Sequence, residues 1–286
     1  MISIIVPVYN EQGSVVRTLI ELNTALKNFT EYEIIVVDDG STDSTLDRVI
    51  EVKVENMRVI NHIENLGYGR SLYDGIVSAK YDCIAIIDGD GSYPAYRIKD
   101  LYNYYPQYDM VVGARTGKEY KKGLFKRPAR MLFNFLVEYA SGRKVPDVNS
   151  GFRIFKKDIV MKFQDSLCTG FSFTTTLTLI FFLNHYYVKY VPIEYFKRDG
   201  KSKVRHFKDT LRAGQIIVEA ILQYNPIKLF LLLGLGNSLF GAVVGVFNFF
   251  FLKLDFLSIY AGISVASFIP VFTAGLIAKK LQRINQ

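Results

Sequence analysis

Short apolar runs alternate with longer segments of helical periodicity along the first part of the chain. Runs of four or five residues predict five strands, at residues 2–6, 33–37, 57–60, 83–87 and 109–112. The first run is expected to stop at Pro7. Helical patterns run to about residue 27 and then cover about 43–53, 69–80 and 95–104. Strands that alternate with helices in this way predict right-handed βαβ units, so the expected fold class is α/β with a mainly parallel sheet.

Two later segments combine basic side chains with an apolar helical face. Six Lys and Arg residues lie between Lys118 and Arg130, and apolar positions continue at helical spacing to Tyr139. This pattern predicts a basic amphipathic helix over about 124–141 that lies at a membrane surface. Residues 206–225 repeat the pattern. For the first segment, an ordinary core-facing helix with a solvated charged end is the alternative interpretation.

The C-terminal part contains two long uncharged segments. Residues 229–252 form a stretch of 24 residues without a charge, and residues 256–278 form one of 23. Each is long enough to cross a hydrocarbon core of ~30 Å at ~1.5 Å per residue. We therefore expect a transmembrane hairpin over residues 227–280, with spans at about 228–252 and 256–279, after an N-terminal domain of residues 1–205.

Basic residues flank both outer ends of this hairpin, so the N-terminal domain and both termini are expected in the cytoplasm. Gly241 and Gly245 permit close helix contact, either within the hairpin or between subunits. Pro270 is expected to kink the second span. A homo-oligomer in the lipid bilayer is expected.

Charge is distributed unevenly along the 286 residues. Residues 1–114 contain 9 Lys and Arg against 17 Asp and Glu, a net charge of −8. Residues 115–286 contain 26 against 10, a net charge of +16. An acidic part suits a cation and a basic part suits phosphate or anionic lipid. Nucleic acid would also suit the basic part, but the apolar C-terminus favours a membrane, and no nucleic-acid partner is expected.

Acidic side chains follow three of the predicted strands. Glu11 follows the first, Asp38 and Asp39 the second, and Asp88 and Asp90 the fourth. Parallel strands bring their carboxyl ends to one sheet edge, where open α/β folds bind ligands. A nucleotide-sugar with a divalent cation needs such an edge, because carboxylates supply the hard oxygen ligands that the cation prefers. Solvated acidic turns are the alternative interpretation.

The sequence lacks the motifs of several other kinds of binding site, or has them in the wrong place. A glycine-rich dinucleotide loop should follow the first strand, whereas Gly67-Tyr-Gly69 follows the third and lacks the last glycine. A P-loop is absent from the sequence as well. Cys83 and Cys168 are 85 positions apart and three histidines are scattered, so no zinc site or disulfide framework is predicted. The N-terminus has no basic region before its apolar run, so we expect a strand there and no signal peptide.

Together these segments resemble family 2 glycosyltransferases of the GT-A fold. More narrowly, the chain is similar to polyprenyl-phosphate glycosyltransferases of the dolichol-phosphate-mannose-synthase kind. The resemblance covers essentially the whole chain, and its strength lies in the order and spacing of the motifs. These are Val6-Pro-Val-Tyr-Asn-Glu11, Val36-Val-Asp-Asp-Gly-Ser41, Asn65-Leu-Gly-Tyr-Gly69, Ile87-Asp-Gly-Asp90, Val112-Gly-Ala-Arg115, Asp147-Val-Asn-Ser-Gly-Phe-Arg153 and Arg198-Asp-Gly-Lys-Ser-Lys203.

The resemblance implies a donor site and a metal site. Asp88 and Asp90 would hold Mg²⁺ or Mn²⁺ on the diphosphate of a UDP- or GDP-sugar, and Arg115 would approach the phosphates. These three residues are the expected catalytic residues. The residues implied for nucleotide binding are Pro7, Tyr9, Glu11, Val37, Asp39, Asn65, Gly67, Asp88 and Asp90.

The resemblance also implies an acceptor, a polyprenyl (undecaprenyl or dolichyl) phosphate, and inversion at the anomeric carbon. Guanidinium groups match phosphate oxygens, so the basic loop after Arg198 is expected to close over the phosphates. The residues expected at the acceptor phosphate are Arg127, Arg130, Ser150, Arg198, Lys201, Ser202 and Lys203.

Two segments depart from the family pattern. Many members follow the Asp-x-Asp segment with Leu-Gln, and this chain has Gly91-Ser92 instead, which leaves the third metal ligand open. Relatives often carry an acidic residue near Phe171, where this chain has the three threonines of residues 174–176, which leaves sugar recognition open.

Rival functions remain at this stage. A family 2 enzyme that glycosylates a hydroxyl on a glycerolipid or glycan would need a general base, for which Asp147 is the candidate. A positioning role is preferred for Asp147. A non-catalytic membrane scaffold is the second alternative. A processive polysaccharide synthase is disfavoured because its usual Gln-x-x-Arg-Trp motif requires a tryptophan, and this chain has none.

Overall fold

The computed structural model describes residues 1–117, 127–164, 167, 172–198, 214, 215, 217–219, 221, 222 and 225–284. The chain divides into two compact units, Met1–Gly214 and Gln215–Gln286.

The first unit is built on a seven-stranded sheet whose strands have the order β3-β2-β1-β4-β6-β5-β7. Every neighbouring pair is parallel except the two pairs that β6 makes with β4 and β5. The sequence prediction of an α/β fold with a mainly parallel sheet is therefore confirmed. The strands are β1 Ile2–Val8, β2 Tyr32–Asp38, β3 Met57–Asn61, β4 Cys83–Ile86, β5 Met110–Thr116, β6 Arg153–Lys156 and β7 Val188–Glu194.

Helices connect these strands and cover the sheet. Amphipathic helix α1 buries one apolar stripe under the sheet, which includes Leu19 and Leu22. The described helices of this unit are α1 Val15–Leu26, α2 Thr45–Glu51, α3 Tyr68–Ser78, a 3₁₀ turn Ala95–Arg97 that leads into α4 Ile98–Tyr102, α5 Arg127–Ser141, α6 Lys157–Lys162 and α7 Phe173–Leu183.

The expectation that the first strand stops at Pro7 is wrong. Strand β1 continues to Val8, and Pro7 lies opposite Val37 of β2. Hydrogen bonds alternate between the two neighbours along a parallel strand, and Val8 accepts one from Asp39 on the β2 side. The missing N–H of Pro7 therefore points to the β4 side, beyond the last β1–β4 pair at Ile5 and Ile86. Because no ladder bond is lost there, the proline is tolerated.

The sequence pattern did not predict β6 and β7, or helices α6 and α7. Strand β6 has only four residues and runs antiparallel between β4 and β5. Helix α7 is buried on all sides, with ten of its eleven residues buried and four threonines among them, so it shows no amphipathic stripe. A short strand and a fully buried helix give weak periodic signals.

The second unit contains α8 Pro226–Phe247, a π-helical turn Asn248–Leu252, α9 Asp255–Ala266 and α10 Phe268–Ile284. Two segments are long and apolar enough to cross a membrane, Pro226–Leu252 and Asp255–Leu281, each of 27 residues. The second is interrupted between α9 and α10, at Ser267. Pro270 has no N–H for the carbonyl of Ala266, one turn earlier, which accounts for an interruption at this point.

The turn between the two segments is closed by Asn248. Its side-chain nitrogen donates to the Leu254 carbonyl and to Ser258 Oγ, and its oxygen accepts from the Leu254 N–H, each at 2.9 Å. A Cβ at Gly241 would overlap the Cβ of Ser264, so α8 and α9 pack closely at this glycine. Gly241 therefore makes its close helix contact within the hairpin.

Candidate active site

Carboxylates from two separate strands of the first unit meet on a single guanidinium at the carboxyl edge of the sheet. Glu11 follows β1, Asp90 follows β4, and Arg198 follows β7. Arg198 Nη2 lies 3.2 Å from Glu11 Oε1 and 3.2 Å from Asp90 Oδ2. The sheet topology creates this cluster, because β1 and β4 are adjacent parallel strands that end at the same edge.

Asp88 lies at the same edge in a confined environment. Its Oδ1 accepts a hydrogen bond of 2.9 Å from the Tyr68 hydroxyl. A Cβ on Gly151 would overlap the Asp88 carboxylate, so only glycine fits there. Burial and the Asp90 carboxylate raise the pKa of Asp88 to about 7, against the opposing effects of the Tyr68 hydrogen bond and of Arg115 and Arg198.

Tyr68 opens helix α3 within the Asn65-Leu-Gly-Tyr-Gly69 motif. Burial and the Asp88 carboxylate raise the pKa of Tyr68 well above its ordinary value. The hydroxyl therefore keeps its proton and donates a hydrogen bond to Asp88. The sequence motif included Tyr68, but only the structure connects its side chain to Asp88.

Asp90 is buried and held by its own turn. Its Oδ1 accepts hydrogen bonds from the N–H and the hydroxyl of Ser92. Gly91 between them has φ +69°, a conformation in which a side chain would be strained. The glycine and serine that replace the family's Leu-Gln pair thus form a tight turn that orients Asp90.

Asp39, one of the residues expected at the nucleotide, is held by hydrogen bonds from the backbone. It accepts bonds from the backbone N–H groups of Leu66 and Gly67, each at 2.9 Å. His62 Nδ1 lies 2.9 Å from Asp39 Oδ1, and His62 Nε2 lies 3.2 Å from Asp74 Oδ2. His62 was not among the predicted residues, and it links Asp39 to helix α3.

The other residues expected at the nucleotide differ in exposure. Tyr9 is half-buried and Asn65 is exposed, whereas Pro7 is buried in β1. Val37 is fully buried in the core beneath α3, close to Gly75, and its role at the nucleotide stays a prediction. Val37 lies on the same face of β2 as Ile35, and both belong to the core cluster that includes Leu72 of α3.

Arg115 was expected to approach phosphates, and it forms an ion pair with a buried carboxylate. Its Nε and Nη2 each lie 2.8 Å from an oxygen of Asp147. The guanidinium also lies over the Tyr195 ring, 5.3 Å from the centroid. The pair connects β5 to the loop before β6.

Arg153 holds that loop in place. It was named from the sequence only as the last residue of a motif, and no structural role was predicted for it. It is fully buried and donates to the carbonyls of Val148, Ser150 and Thr174 and to the Thr178 hydroxyl. Burial lowers the pKa of Arg153 below its usual value. These bonds hold the segment that carries Gly151 against Asp88.

The residues predicted for the acceptor phosphate have different outcomes. Ser150 is fully buried, donates to the Gly113 carbonyl at 2.6 Å and accepts from the Phe152 N–H, so its hydroxyl is engaged within the loop, and its role at the acceptor phosphate stays a prediction. Arg198 lies in the carboxylate cluster. Arg127 and Arg130 are in helix α5, but the structure does not describe their side chains. The residues that lie wholly outside the described part of the chain are Lys118, Lys121, Lys122, Lys126, Lys201, Ser202 and Lys203.

A divalent cation fits the donor set at Asp88 and Asp90. Burial, together with repulsion from the Asp90 carboxylate, raises the pKa of Asp88, and a cation would relieve that repulsion. Within the described part of the chain, no group of three or more His, Cys, Asp or Glu residues forms a complete metal cage. A metal at this site would therefore need oxygens from a ligand, as is usual for Mg²⁺ on phosphates.

The fold is shared with solved structures of glucosyl-3-phosphoglycerate synthase from Mycobacterium tuberculosis. The complex with phosphoglyceric acid has a TM-score of 0.61 at 18% identity and covers 77% of this chain and 79% of the other. A complex with Mn²⁺, UDP-glucose and glycerol 3-phosphate has a TM-score of 0.60 at 17% identity, with the same coverage. At this identity the likeness establishes the GT-A type of fold alone.

At the sequence level, the chain is 27% identical over 248 residues to the low-salt glycan biosynthesis hexosyltransferase Agl6 of Haloferax volcanii. That alignment covers 85% of this chain and 58% of the relative, so the chain spans little more than half the relative's length. The family model for glycosyl transferase family 2 matches residues 3–163, which is more than half of the chain. The resemblance seen in the motifs is thereby confirmed, and this chain belongs to glycosyl transferase family 2.

Proposed function

We propose that this chain is a membrane-anchored glycosyltransferase that transfers a hexose from a UDP- or GDP-sugar to a polyprenyl phosphate at the cytoplasmic face of a membrane. One observation carries the proposal: carboxylates and arginines converge at the carboxyl edge of the sheet in a chain that also contains two apolar segments of membrane-crossing length. The hexosyltransferase name of the Haloferax relative supports the same class of reaction.

Donor binding is assigned to the edge formed by β1, β2 and β4. Asp39 is held by two backbone N–H groups and can accept a further hydrogen bond from a base or ribose. Asp88 and Asp90 would hold Mg²⁺ or Mn²⁺, which supplies charge neutralisation for the departing nucleoside diphosphate. The solved relatives of this fold with Mn²⁺ or Mg²⁺ bound support a divalent metal.

The reaction forms one bond and breaks one bond at the anomeric carbon. An oxygen of the acceptor phosphate attacks this carbon, and the bond to the donor diphosphate breaks with inversion. The attacking oxygen is already anionic near neutral pH, because the second pKa of a phosphate monoester is about 6. No general base is required, and the positive charges of Arg115 and Arg198 would stabilise the charge that develops on the phosphates.

The acceptor is inferred from the basic and apolar character of the second half of the chain. Residues 115–286 have a net charge of +16, and the segments Pro226–Leu252 and Asp255–Leu281 would place the enzyme where a polyprenyl lipid is dissolved. The cytoplasmic orientation of the catalytic unit and both termini is part of this proposal, as is oligomerisation.

A hydroxyl acceptor is the competing function, and the complex of the M. tuberculosis enzyme with phosphoglyceric acid is the observation that favours it. A hydroxyl must lose a proton during attack, so a free carboxylate would be needed near the anomeric carbon. Both oxygens of Asp147 accept hydrogen bonds from Arg115, which favours the phosphate acceptor.

The test is a transfer assay with the full-length protein in lipid bilayers. The protein is incubated with Mn²⁺, a polyprenyl phosphate and a panel of radiolabelled UDP- and GDP-sugars, and label is followed into the organic phase. Asp90→Ala should abolish transfer, whereas Asp47→Ala, which changes an exposed carboxylate on α2, should retain it. No transfer from any donor, or equal transfer by Asp90→Ala, would refute the proposal.

A further inference from the structure

Arg198 occupies the position of a cation among the donor-site carboxylates. Its Nη2 lies 3.2 Å from both Glu11 Oε1 and Asp90 Oδ2, and both of these carboxylates are buried. The positive charge of Arg198 also opposes the rise that burial and Asp90 cause in the pKa of Asp88. The Glu11 and Asp90 carboxylates come from two sequence motifs and would repel each other. The single guanidinium of Arg198 neutralises both.

The hydrogen bonding of Arg198 in this position is incomplete. Its Nε atom is buried and has no hydrogen-bond partner among the described residues. Guanidinium groups present parallel N–H donors that match the oxygens of a phosphate, and a buried donor without a partner is unfavourable. A diphosphate at this edge would offer Arg198 a more complete set of acceptors than Glu11 and Asp90 do.

We infer that Arg198 is a displaceable counter-cation, which neutralises Glu11 and Asp90 in the empty site and competes with the divalent metal for Asp90. The metal binds Asp90 only when Arg198 leaves it, and the donor diphosphate is the anion that receives the released guanidinium. The inference rests on the proposed function, because it takes the metal and the nucleoside diphosphate as the ligands of this edge.

This competition couples the two ligands. Metal alone must displace Arg198 without offering it a new acceptor, so it binds weakly. Metal with nucleotide offers the diphosphate oxygens, so each ligand strengthens the binding of the other by the same factor. When the site is empty, Arg198 also compensates the negative charge of the buried carboxylates, which would otherwise destabilise the fold.

The test measures Mn²⁺ binding to the full-length, detergent-solubilised protein from the electron paramagnetic resonance signal of free Mn²⁺. Titrations are made without nucleotide and with UDP or GDP. Without nucleotide, Arg198→Gln should bind Mn²⁺ about tenfold more tightly than the wild type, a factor typical of coupling between sites. With nucleotide, the difference should shrink, since Arg198 no longer competes for Asp90.

Two controls separate competition from a general change in charge. Lys197→Gln removes the same charge from the neighbouring exposed position and should leave the affinity for Mn²⁺ within about twofold of the wild type. Arg198→Lys retains the positive charge but not the planar guanidinium, so its affinity for Mn²⁺ should lie between those of the wild type and Arg198→Gln. A loss of folding would lower the affinity, so an increase in Arg198→Gln cannot come from misfolding.

An affinity of Arg198→Gln that equals or falls below that of the wild type would overturn the inference, as would the same increase in Lys197→Gln. Transfer assays on the same preparations keep the two proposals distinct. Transfer by the wild type together with unchanged Mn²⁺ affinity in Arg198→Gln would refute the counter-cation alone. Tighter Mn²⁺ binding in Arg198→Gln without transfer by the wild type to any polyprenyl phosphate would refute the proposed acceptor alone.

Discussion

Arg115 and Asp147 form a bidentate ion pair in the candidate active site. Arg115 Nε donates to Asp147 Oδ2 and Nη2 donates to Oδ1, each at 2.8 Å, and the Arg115 backbone N–H also donates to Oδ2 at 3.0 Å. Asp147 is only 2% exposed. Its carboxylate is thus committed to orienting Arg115, which leaves it poorly placed to remove a proton from an acceptor.

The Asp147→Asn variant tests this role. We expect transfer to polyprenyl phosphate to fall by less than about 100-fold, because asparagine retains one oxygen for Arg115 and no base is lost. The pH dependence of kcat should keep the shape seen in the wild type. Loss of all measurable turnover in a variant that still binds nucleotide would instead identify Asp147 as the base of a hydroxyl-acceptor enzyme.

The raised pKa of Asp88 predicts that the stability of the metal-free protein depends on pH. Its pKa is raised to about 7 by burial and Asp90, whereas an unfolded aspartate titrates near about 4. The stability that protonated Asp88 contributes is therefore fully present below about pH 4 and is lost as the pH rises through about 7. In EDTA, the melting temperature should fall more steeply between about pH 5.5 and about pH 8 in the wild type than in Asp88→Asn. Equal slopes would contradict the raised pKa.

Gly151→Ala tests the packing of the loop against Asp88. The added Cβ would overlap the Asp88 carboxylate, so either the loop or the carboxylate must move. We expect at least about a tenfold loss of kcat/KM, since small displacements of catalytic groups are costly. Gly13→Ala is the matched control, because a Cβ there meets nothing within 4 Å. Wild-type kinetics in Gly151→Ala would show that this contact does not position Asp88.

Arg153→Met tests whether the buried arginine supports the loop before β6. The substitution removes every side-chain bond that Arg153 makes to the carbonyls of Val148, Ser150 and Thr174, and Ser150 loses two of them, which should destabilise the protein by about 3 kcal/mol or more. Arg97→Met, at a partly exposed ion pair with Asp100, should cost less than about 1 kcal/mol. Urea unfolding in detergent measures both, and similar costs would argue against a structural role for Arg153.

Gly241→Leu tests the packing of the C-terminal hairpin. A side chain at Gly241 would overlap Ser264, and overpacking of this kind costs about 1–3 kcal/mol. Gly236→Leu is the control, because the described chain leaves open space beside Gly236. Thermal unfolding in detergent should show a lower melting temperature for Gly241→Leu only. A comparable loss for Gly236→Leu would indicate that a second subunit covers that face.

Periodicity predicted the parts of this protein that depend on near neighbours. The strands β1 to β5 and the two long apolar segments follow from local alternation and from length. The position of Glu11, Asp39, Asp88 and Asp90 at one edge follows as well, because parallel strands end on the same side of a sheet. These features required no knowledge of how distant segments pair.

The partners of these residues were decided by the tertiary structure. Glu11 and Arg198 are 187 positions apart, and Arg115 and Asp147 are 32 apart, so no local pattern connects them. The burial of Ser150 and Val37 likewise depends on which segments cover them.

The insertion of β6 between β4 and β5 shows why the sequence did not predict these partners. Strand pairing and buried ion pairs draw their free energy from contacts that exist only after the chain has folded, and a four-residue strand carries little local preference of its own. The sequence by itself therefore determined the family, the sheet edge and the apolar segments. Only the folded chain decided which charges face each other at that edge.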